Sequence, residues 1–348
     1  MQFSIIVPVH NSEEYLEECL YSIDSQENKN YELILIVNAS TDNSLVICQK
    51  WAEKHSNTQI IVTDIPGVSH ARNMGIQAAK GDWLFFLDSD DCMREDALST
   101  LERGIAGGCD LVIANYSSQK EQHNYSGNER VIPSVDYQKA LLDRPKYFEE
   151  IKSGLTWNPI VLDSPWAKAF RTSTVKQSGI DFDCDVYIGE DALFNLAYTS
   201  LIKQVQCIDK DIYFYRVVSQ SFSRKSDVSA VKKRLDLLHA LNKFALSDGV
   251  EKAKEFKVVD ILLRSVIAGS SKYADVDKTC ELIMDCCAEH GIKGSIQNCR
   301  LNNLSKSKAR GLVYYWILKL MKSNRYKSAV QVGFLYNNLI KIKEKGKM

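Results

Sequence analysis

Three aspartates follow an apolar run that ends abruptly. The segment from residue 81 to residue 92 reads GDWLFFLDSDDC, and its acidic members are Asp88, Asp90 and Asp91. Carboxylates at the end of a buried strand repel one another strongly unless a cation, or a polyanion that carries a metal ion, shares the site. The segment therefore predicts a metal-dependent site, in which Asp91 has no assigned role.

The spacing of Asp88 and Asp90 fits more than one chemistry. Alternate side chains of an extended chain point the same way, so one carboxylate reaches a divalent metal while the other reaches a ribose hydroxyl or a metal-bound water. A phosphatase with Asp88 as its nucleophile is one alternative, and a solvated turn whose carboxylates cap a helix is another. The phosphatase interpretation is the weaker one, because Cys92 and Met93 follow and no accompanying Ser, Thr or Lys motif stands out.

Strand and helix patterns alternate around these residues. Apolar and β-branched runs predict strands over 3–9, 33–37, 59–63, 83–87 and 111–114, with helical periodicity between them. Asn11 and Glu14 have the spacing of a capping box before the first helix. This alternation predicts an α/β fold with a mostly parallel sheet, whose ligands bind beyond the carboxyl ends of the strands. The polar residues expected to converge there are His10, Asn11, Asn38, Asp64 and the Asp88 cluster.

The last third of the chain has a different pattern. From residue 227 onward apolar residues recur at helical spacing, which predicts a helical domain over 227–348 after an α/β domain over 1–226. Residues 306–348 include eleven Lys or Arg and a single acidic residue, Glu344. Basic amphipathic helices with aromatic residues bind anionic membrane surfaces, and a packed helix pair with a solvated basic face fits the same pattern.

The composition excludes several classes of protein. The 348 residues contain 44 basic and 44 acidic side chains, and no apolar run reaches the ~18 residues of a membrane-spanning helix. Ten cysteines without a C-x-x-C pair, and no basic apolar leader at Met1, predict reduced thiols in the cytoplasm. We expect no nucleic-acid partner because the basic excess is confined to the tail, and the missing G-x-G-x-x-G disfavours dinucleotide redox chemistry.

Four segments carry a resemblance to a known family. In chain order they read SIIVPVHNSEEYLEECLYSIDSQ, YELILIVNASTDNS, GVSHARNMGIQAAKGDWLFFLDSDD and IGEDALFN. With these segments the chain resembles the family 2 glycosyltransferases of the GT-A fold over about residues 1–225. The resemblance implies an inverting, metal-dependent transfer of a sugar from a nucleotide sugar. It also implies Mn or Mg, with Asp90 as the first ligand and Asp88 as the second, to neutralise the charge of the departing diphosphate.

The resemblance places the nucleotide base near the ends of the first two strands. Pro8, Val9 and His10 match the Pro-x-Tyr position against the base, where an imidazole still offers a flat face. A histidine that is simply hydrogen-bonded at a strand end is the alternative. Asn38 matches an Asp that accepts a hydrogen bond from uracil, although Val37 replaces the Asp that usually precedes it. UDP is therefore the favoured nucleotide.

The remaining matches concern the diphosphate and the proton acceptor. Arg72 is expected either beside the nucleotide or in an ion pair with the carboxylates, and Asp88 and Ser89 are expected to contact the donor. Asp191, in the GED segment, matches the catalytic base of inverting transferases, and Glu190 matches a residue that positions the acceptor or the base. Both acidic residues also fit the N-terminus of a helix.

Two further segments, SPWAKAFR and YFYRVVSQSFSR, match features of bacterial members of the family. Trp166 is expected to stack on a sugar ring and Lys168 to lie near the acceptor. Arg216, with Ser221 and Ser223, is expected to close a loop over the pyrophosphate. A core tryptophan and a strand-end arginine are the structural alternatives.

The resemblance and the basic tail together give an expected setting. We expect a nucleotide-sugar donor, a saccharide or polyprenyl-linked acceptor, and a role in cell-surface polysaccharide synthesis. The expected location is the cytoplasm, with peripheral contact to the inner face of the membrane through residues 306–348. A non-catalytic protein that keeps the fold and binds nucleotide sugars is the main alternative, and the phosphatase is the second.

Overall fold

The computed structural model describes residues 2–118, 125–156, 160–217, 228–268, 276–288, 290–299 and 308–345. The chain divides into two compact units. The first comprises 1–138, 150–184 and 190–219, and the second comprises 139–149, 185–189 and 220–348. The predicted boundary at Ser226 lies outside the described residues and stays a prediction.

The first unit begins with the parallel half of a sheet. Its elements are β1 (Phe3–Val9), α1 (Leu16–Asp24), β2 (Tyr31–Asn38), α2 (Ser44–Ala52), β3 (Thr58–Thr63), α3 (Val68–Ala78) and β4 (Trp83–Phe86). The spatial order is β3-β2-β1-β4, with parallel pairing throughout. β1 and β4 are buried along their whole length, as expected for parallel strands with helices on both faces. The predicted alternation of strands and helices is confirmed.

The second half of the sheet mixes strand directions. The next elements are β5 (Cys92–Met93), α4 (Ala97–Ile105), β6 (Leu111–Ser118), β7 (Glu129–Pro133), α5 (Ser134–Leu142), α6 (Arg144–Ile151), α7 (Ile160–Asp163), β8 (Lys168–Arg171), α8 (Thr172–Ser178), α9 (Glu190–Thr199) and β9 (Gln204–Tyr215). β8 lies between β4 and β6 and is antiparallel to both. β9 runs parallel to β6 and antiparallel to β5 and β7. The predicted α/β class is confirmed, and the sheet is mixed beyond β4 because a distant segment supplies β8.

Helices account for the regular structure described after residue 227. They are α10 (Val228–Asn242), α11 (Asp248–Ala268), α12 (Val276–Ala288), α13 (His290–Asn298), α14 (Lys308–Lys322) and α15 (Tyr326–Lys345). α11 contacts α10, α13 and α15, and apolar residues that recur along it are buried: Val258, Ile261, Leu262 and Val266. The predicted helical C-terminal region is confirmed. Within the described ranges no helix is both long and apolar enough to cross a membrane.

The predicted capping box before α1 is wrong. The helix begins at Leu16, and no side chain caps it. Asn11 adopts a left-handed backbone conformation with φ of 48°. Its Oδ1 accepts a hydrogen bond from the backbone N–H of Thr41 at 2.8 Å. The amide therefore joins the loops after β1 and β2, and this long-range bond takes the place of the local cap.

Candidate active site

The ends of β1 and β2 meet through His10 and Asn38. The Nδ1 of His10 donates to the backbone carbonyl of Asn38 at 2.7 Å, and His10 is exposed. The Asn38 side chain is buried and donates to the carbonyl of Ile65 at 2.6 Å. It also accepts from the N–H of Gly67 at 3.1 Å. Asn38 thus holds the loop that leads into α3, whereas His10 presents its ring to solvent at the predicted base position.

Pro8 and Val9 lie in the buried interior of β1. Their side chains belong to the sheet core, so of the predicted trio only His10 is exposed. The motif match placed all three residues against the base. A strand in the centre of a sheet is covered on both faces, so residues within β1 are buried and only the residue that follows the strand is exposed.

The turn after β4 is fixed from two sides. The N–H of Asp91 donates to the carbonyl of Asp88 at 3.0 Å, which closes the turn. The hydroxyls of Ser89 and Ser12 lie 2.6 Å apart, and both residues are buried. Ser89 therefore joins the turn to the loop after β1, and its predicted contact with the donor stays a prediction.

Asp91, which has no role in the sequence interpretation, is a structural anchor. Its carboxylate accepts from the hydroxyl of Tyr213 at 2.6 Å and from the backbone N–H of Arg216 at 2.7 Å. Burial, followed by repulsion from Asp88 and Asp90, raises the pKa of this carboxyl. The bonds tie the turn to the carboxyl end of β9. The sequence signal was weak, because nothing local connects Tyr213 to an acidic residue 122 positions earlier.

Arg72 on α3 connects two acidic segments that are far apart in sequence. Its Nη1 donates to Oδ1 of Asp191 at 2.6 Å, and its Nη2 donates to Oδ1 of Asp88 at 2.9 Å. The arginine side chain is 4% exposed, while those of Asp88 and Asp191 keep 29% and 27% of their surface in water. The guanidinium also lies 5.2 Å from the ring centroid of Phe182. A planar fork therefore holds both carboxylates at its two ends.

The charges of this cluster oppose burial. Burial lowers the pKa of Arg72, but Asp191 and Asp88 more than compensate, so the guanidinium stays charged. Burial raises the pKa of Asp191, Arg72 lowers it, and Glu190 and Asp88 raise it again, with a net upward shift. A carboxyl whose pKa is raised towards neutrality is a better proton acceptor at neutral pH than an ordinary aspartate.

A second set of bonds holds the helix that bears Asp191. One turn along α9, the Nδ2 of Asn195 approaches the carbonyls of Asp163, Ser164 and Asp191 at 2.8, 3.0 and 2.9 Å. The Nζ of Lys168 donates to the carbonyls of Val161 and Ser164. The loop after α7 is therefore clasped by two buried side chains. Sequence reasoning missed Asn195, whose four-residue spacing from Asp191 was the available signal.

Lys168 lies beneath the site and not on its surface. The side chain is fully buried, and burial lowers the pKa of its amine to about 7, partly offset by Asp163 and Asp191. Its amine is used by backbone carbonyls of the loop, so Lys168 supports the site from the interior, and its predicted place near the acceptor stays a prediction.

Trp166 and Arg216 also have structural partners. The Trp166 ring is buried and stacks on Tyr213, with centroids 4.6 Å apart and planes 12° apart. This burial favours a core tryptophan over the predicted sugar platform. The Nε of Arg216 donates to the carbonyl of Asp90 at 2.8 Å, and its Nη2 pairs with Glu18 at 2.7 Å. Arg216 thereby holds the backbone of the acidic turn. Ser221 and Ser223 lie outside the described residues.

The carboxylates of Asp88 and Asp90 are of the type that binds magnesium or manganese. Burial and the neighbouring Asp88 raise the pKa of Asp90 to about 6. A bound cation relieves such repulsion. Among the described residues no group of three or more His, Cys, Asp or Glu side chains could hold a metal by itself. Mg²⁺ commonly takes one or two carboxylates and completes its shell with water and substrate phosphates, so the two carboxylates fit such an ion.

Comparison with known protein families and sequences identifies relatives. A family model described as Glycosyl transferase family 2 matches residues 4–178, about half of the chain. The glycosyltransferase GlyA of Streptococcus pneumoniae is 30% identical over 245 residues, which cover 68% of this chain and 34% of GlyA. The poly(ribitol-phosphate) β-N-acetylglucosaminyltransferase TarS of Staphylococcus aureus is 26% identical over 219 residues, which cover 62% of this chain and 35% of TarS. The chain thus spans about a third of the length of these curated relatives.

Solved structures share the fold. Residues 1–349 of S. aureus TarS in complex with UDP superpose with a TM-score of 0.66 at 20% identity, covering 97% of this chain and 92% of that chain. The mannosyltransferase PcManGT of Pyrobaculum calidifontis, in complex with GDP-Man and Mn²⁺, gives a TM-score of 0.53 at 14% identity over 96% of this chain and 87% of that one. At these identities the likeness establishes the fold, and the predicted GT-A architecture is confirmed.

Proposed function

The chain belongs to glycosyl transferase family 2, and we propose that it is an inverting glycosyltransferase that moves a sugar from a nucleotide sugar to a hydroxyl of a saccharide. Asp191 is the proposed catalytic base, and the turn that carries Asp88 and Asp90 is the proposed site for the donor diphosphate. The fold and the carboxylate cluster both support this proposal, because a single site at the end of β4 contains the groups that such a transfer needs.

One observation carries the proposal: Arg72 bonds to Asp191 and to Asp88 at the same time. The two carboxylates are therefore one guanidinium apart, although 103 residues (191 minus 88) separate them in the chain. In the proposed reaction the acceptor oxygen attacks the anomeric carbon while the bond from that carbon to the diphosphate oxygen breaks. Asp191 takes the proton of the attacking hydroxyl, and attack opposite the diphosphate inverts the anomeric configuration.

Uridine diphosphate is the proposed nucleotide. TarS has been solved with UDP and with UDP-GlcNAc, the latter with a TM-score of 0.65 at 18% identity to this chain. In this chain His10 is exposed at the end of β1 and bonded to Asn38, which leaves its ring face available to a base. We propose that the sugar goes to a saccharide or polyprenyl-linked acceptor of a cell-surface polysaccharide, in keeping with the poly(ribitol-phosphate) in the name of TarS.

A divalent metal is part of the proposal. Asp90 and Asp88 would hold Mn or Mg, with water and the donor phosphates as the other ligands. When bound, the ion supplies positive charge that stabilises the departing diphosphate. PcManGT, which shares the fold, has been solved with GDP-Man and Mn²⁺, and this supports the same choice of metal here. The cytoplasmic location and a membrane contact through residues 306–348 stay predictions.

Replacement of Asp191 by Asn tests the base assignment. A panel of nucleotide sugars with Mn is first screened by thermal shift, since a ligand that binds only the native state raises the apparent melting temperature. With the sugar that binds, release of the nucleoside diphosphate is then measured for the wild type, Asp191→Asn, and the control Asp181→Asn, an exposed aspartate in the preceding loop.

Asp191→Asn should lower the rate by about 10²–10⁴-fold, because the proton acceptor is lost. Donor affinity should stay within about threefold, because the Asn oxygen can still accept from Arg72 and Asp88 still carries the charge beside that guanidinium. Asp181→Asn should behave as the wild type. Persistent turnover in Asp191→Asn would show that another group is the base. If no nucleotide sugar binds with Mn or Mg, the enzyme proposal itself fails, and binding without any turnover favours the non-catalytic alternative.

A further inference from the structure

α14 has two faces of different character. Its buried side chains are Tyr314, Ile317, Leu318 and Met321. Leu312, Tyr315, Trp316 and Lys319 are exposed, and we call these four residues the α14 stripe. Their spacing of three, four and seven residues puts them on one side of the helix, opposite the buried set. The helix therefore has two apolar faces: one is buried in the core, and the other is exposed.

The α14 stripe exposes much apolar surface. Leu312 is 61% exposed, Trp316 47% and Tyr315 37%. The two rings meet edge to face with centroids 5.6 Å apart, and the Nζ of Lys319 lies 5.0 Å from the Trp316 centroid. Large exposed apolar patches with a polar rim mark sites of interaction with proteins, membranes or ligands. Trp and Tyr beside Lys are the side chains that proteins use where hydrocarbon meets phosphate headgroups.

The charge around the stripe selects the partner. The segment from 308 to 327 contains six basic residues and no acidic one in its sequence: Lys308, Arg310, Lys319, Lys322, Arg325 and Lys327. Lys327 pairs with Asp277 at 2.6 Å and Lys322 donates to the carbonyls of Gln297 and Cys299, so Lys319 is the charged side chain of the stripe itself. A second copy of the same face would bring like charges together, which disfavours a symmetric dimer. A soluble polyanion would leave the exposed Leu312 and both rings without an apolar environment. An anionic lipid surface provides negative charge and an apolar boundary together.

We propose that the α14 stripe is a docking face for an anionic membrane surface, with Leu312, Tyr315 and Trp316 inserted at the headgroup boundary and Lys319 at the phosphates. This proposal does not rest on the transfer reaction. It confines the membrane contact expected for residues 306–348 to one face of one helix. An acceptor carried on a lipid would then reach the enzyme by diffusion in two dimensions.

Vesicle flotation with the full chain tests the docking face. Wild type is compared on phosphatidylcholine vesicles with and without roughly one-third phosphatidylglycerol, and should bind the anionic vesicles far better. Leu312→Ser combined with Trp316→Ser should lower the partition coefficient by about tenfold or more, because two inserted side chains are lost. The matched control is Leu201→Ser combined with Tyr21→Ser, which removes a leucine 49% exposed and an aromatic 64% exposed elsewhere, and it should bind as the wild type does.

Lys319→Glu separates the electrostatic part from the apolar part. It should weaken binding to anionic vesicles several-fold, by about the contribution of one or two charges, and leave weak binding to neutral vesicles unchanged. Far-ultraviolet circular dichroism and sedimentation velocity accompany every variant. The proposal is overturned if wild type ignores anionic vesicles or if the Leu312/Trp316 variant binds them as well as wild type does. It is also overturned if that variant instead converts a dimer into a monomer, because the stripe would then contact a second copy.

Discussion

Replacement of Arg72 by Met should separate the two carboxylates that the arginine joins. Met has similar length and no charge, so the change removes two charge-assisted hydrogen bonds of 2.6 and 2.9 Å and keeps much of the packing against Phe182. Bonds to charged groups contribute about 1.5–3 kcal/mol each, and breaking a buried ion pair typically costs about 3–5 kcal/mol. Asp88 and Asp191 keep 29% and 27% of their side-chain surface in water, which allows partial rehydration. We therefore expect Arg72→Met to lower the free energy of unfolding by about 3 kcal/mol, at the lower end of that range.

The matched control is Arg264→Met on α11. Arg264 pairs with Asp260 at 2.8 Å, a similar distance, but its side chain is 62% exposed. An exposed pair of this kind contributes about 0–1 kcal/mol. Thermal melts should therefore show a drop of several degrees for Arg72→Met, at about 2 °C per kcal/mol, and almost none for Arg264→Met. Equal shifts in the two variants would refute the assignment of Arg72 as a buried electrostatic link.

The pH profile of Arg72→Met gives a second, independent readout. Arg72 lowers the pKa of Asp191, so its removal raises that pKa further. A base accepts a proton only when ionised, so the rising limb of the rate profile should move to higher pH, and part of the lost rate should return as the pH is raised. Arg72→Lys should not restore the wild-type profile, because an ammonium lacks the fork that reaches both carboxylates. An unshifted limb would contradict the proposed coupling between Arg72 and the base.

Two further changes test the turn after β4. Tyr213→Phe removes the hydroxyl that donates to Asp91 at 2.6 Å, and should lower the free energy of unfolding in urea by about 1–3 kcal/mol. The control Tyr187→Phe, at an exposed ring, should leave it almost unchanged. Asp90→Asn should raise the Mn²⁺ concentration needed for half-maximal donor binding by about tenfold or more, measured by titration calorimetry at fixed nucleotide sugar. An unchanged Mn²⁺ requirement would remove Asp90 from the proposed metal ligands.

The sequence predicted the local elements of the first unit well. β1 has the predicted bounds Phe3–Val9, and β3 (Thr58–Thr63) begins one residue before the predicted range 59–63. Both depend on hydrophobic periodicity over fewer than ten residues, which is a local property. The capping box at Asn11 failed for the opposite reason, since the amide of Asn11 found a partner 30 residues away in the loop after β2. Local pattern predicts what a segment prefers, and long-range partners can override it at its ends.

For the candidate site, the sequence identified several residues but not how deeply each is buried. Asp88 and Asp90 were identified from their types and spacing, and Asp191 from the resemblance of the GED segment to family 2 glycosyltransferases. The strand-end rule correctly predicted that polar residues after β1, β2 and β4 lie at one edge. Burial was not predicted for Lys168, and for Trp166 it was only the alternative. Lys168 and Trp166 match motif positions, yet one is fully buried against loop carbonyls and the other is stacked on Tyr213.

The sequence by itself determined the α/β order of the first unit, the helical character of the C-terminal region and the acidic turn after β4, because these depend on side-chain types within short windows. Only the tertiary structure decided which partners those side chains have. β8 enters the sheet between β4 and β6, Arg72 bonds to Asp191 across 119 residues while it also holds Asp88, and Tyr213 anchors Asp91 across 122. Such contacts follow from strand order and register, so the turn at Asp88–Asp91 gained its cationic partner Arg72, its anchor Tyr213 and the neighbouring candidate base Asp191 only once the chain had folded.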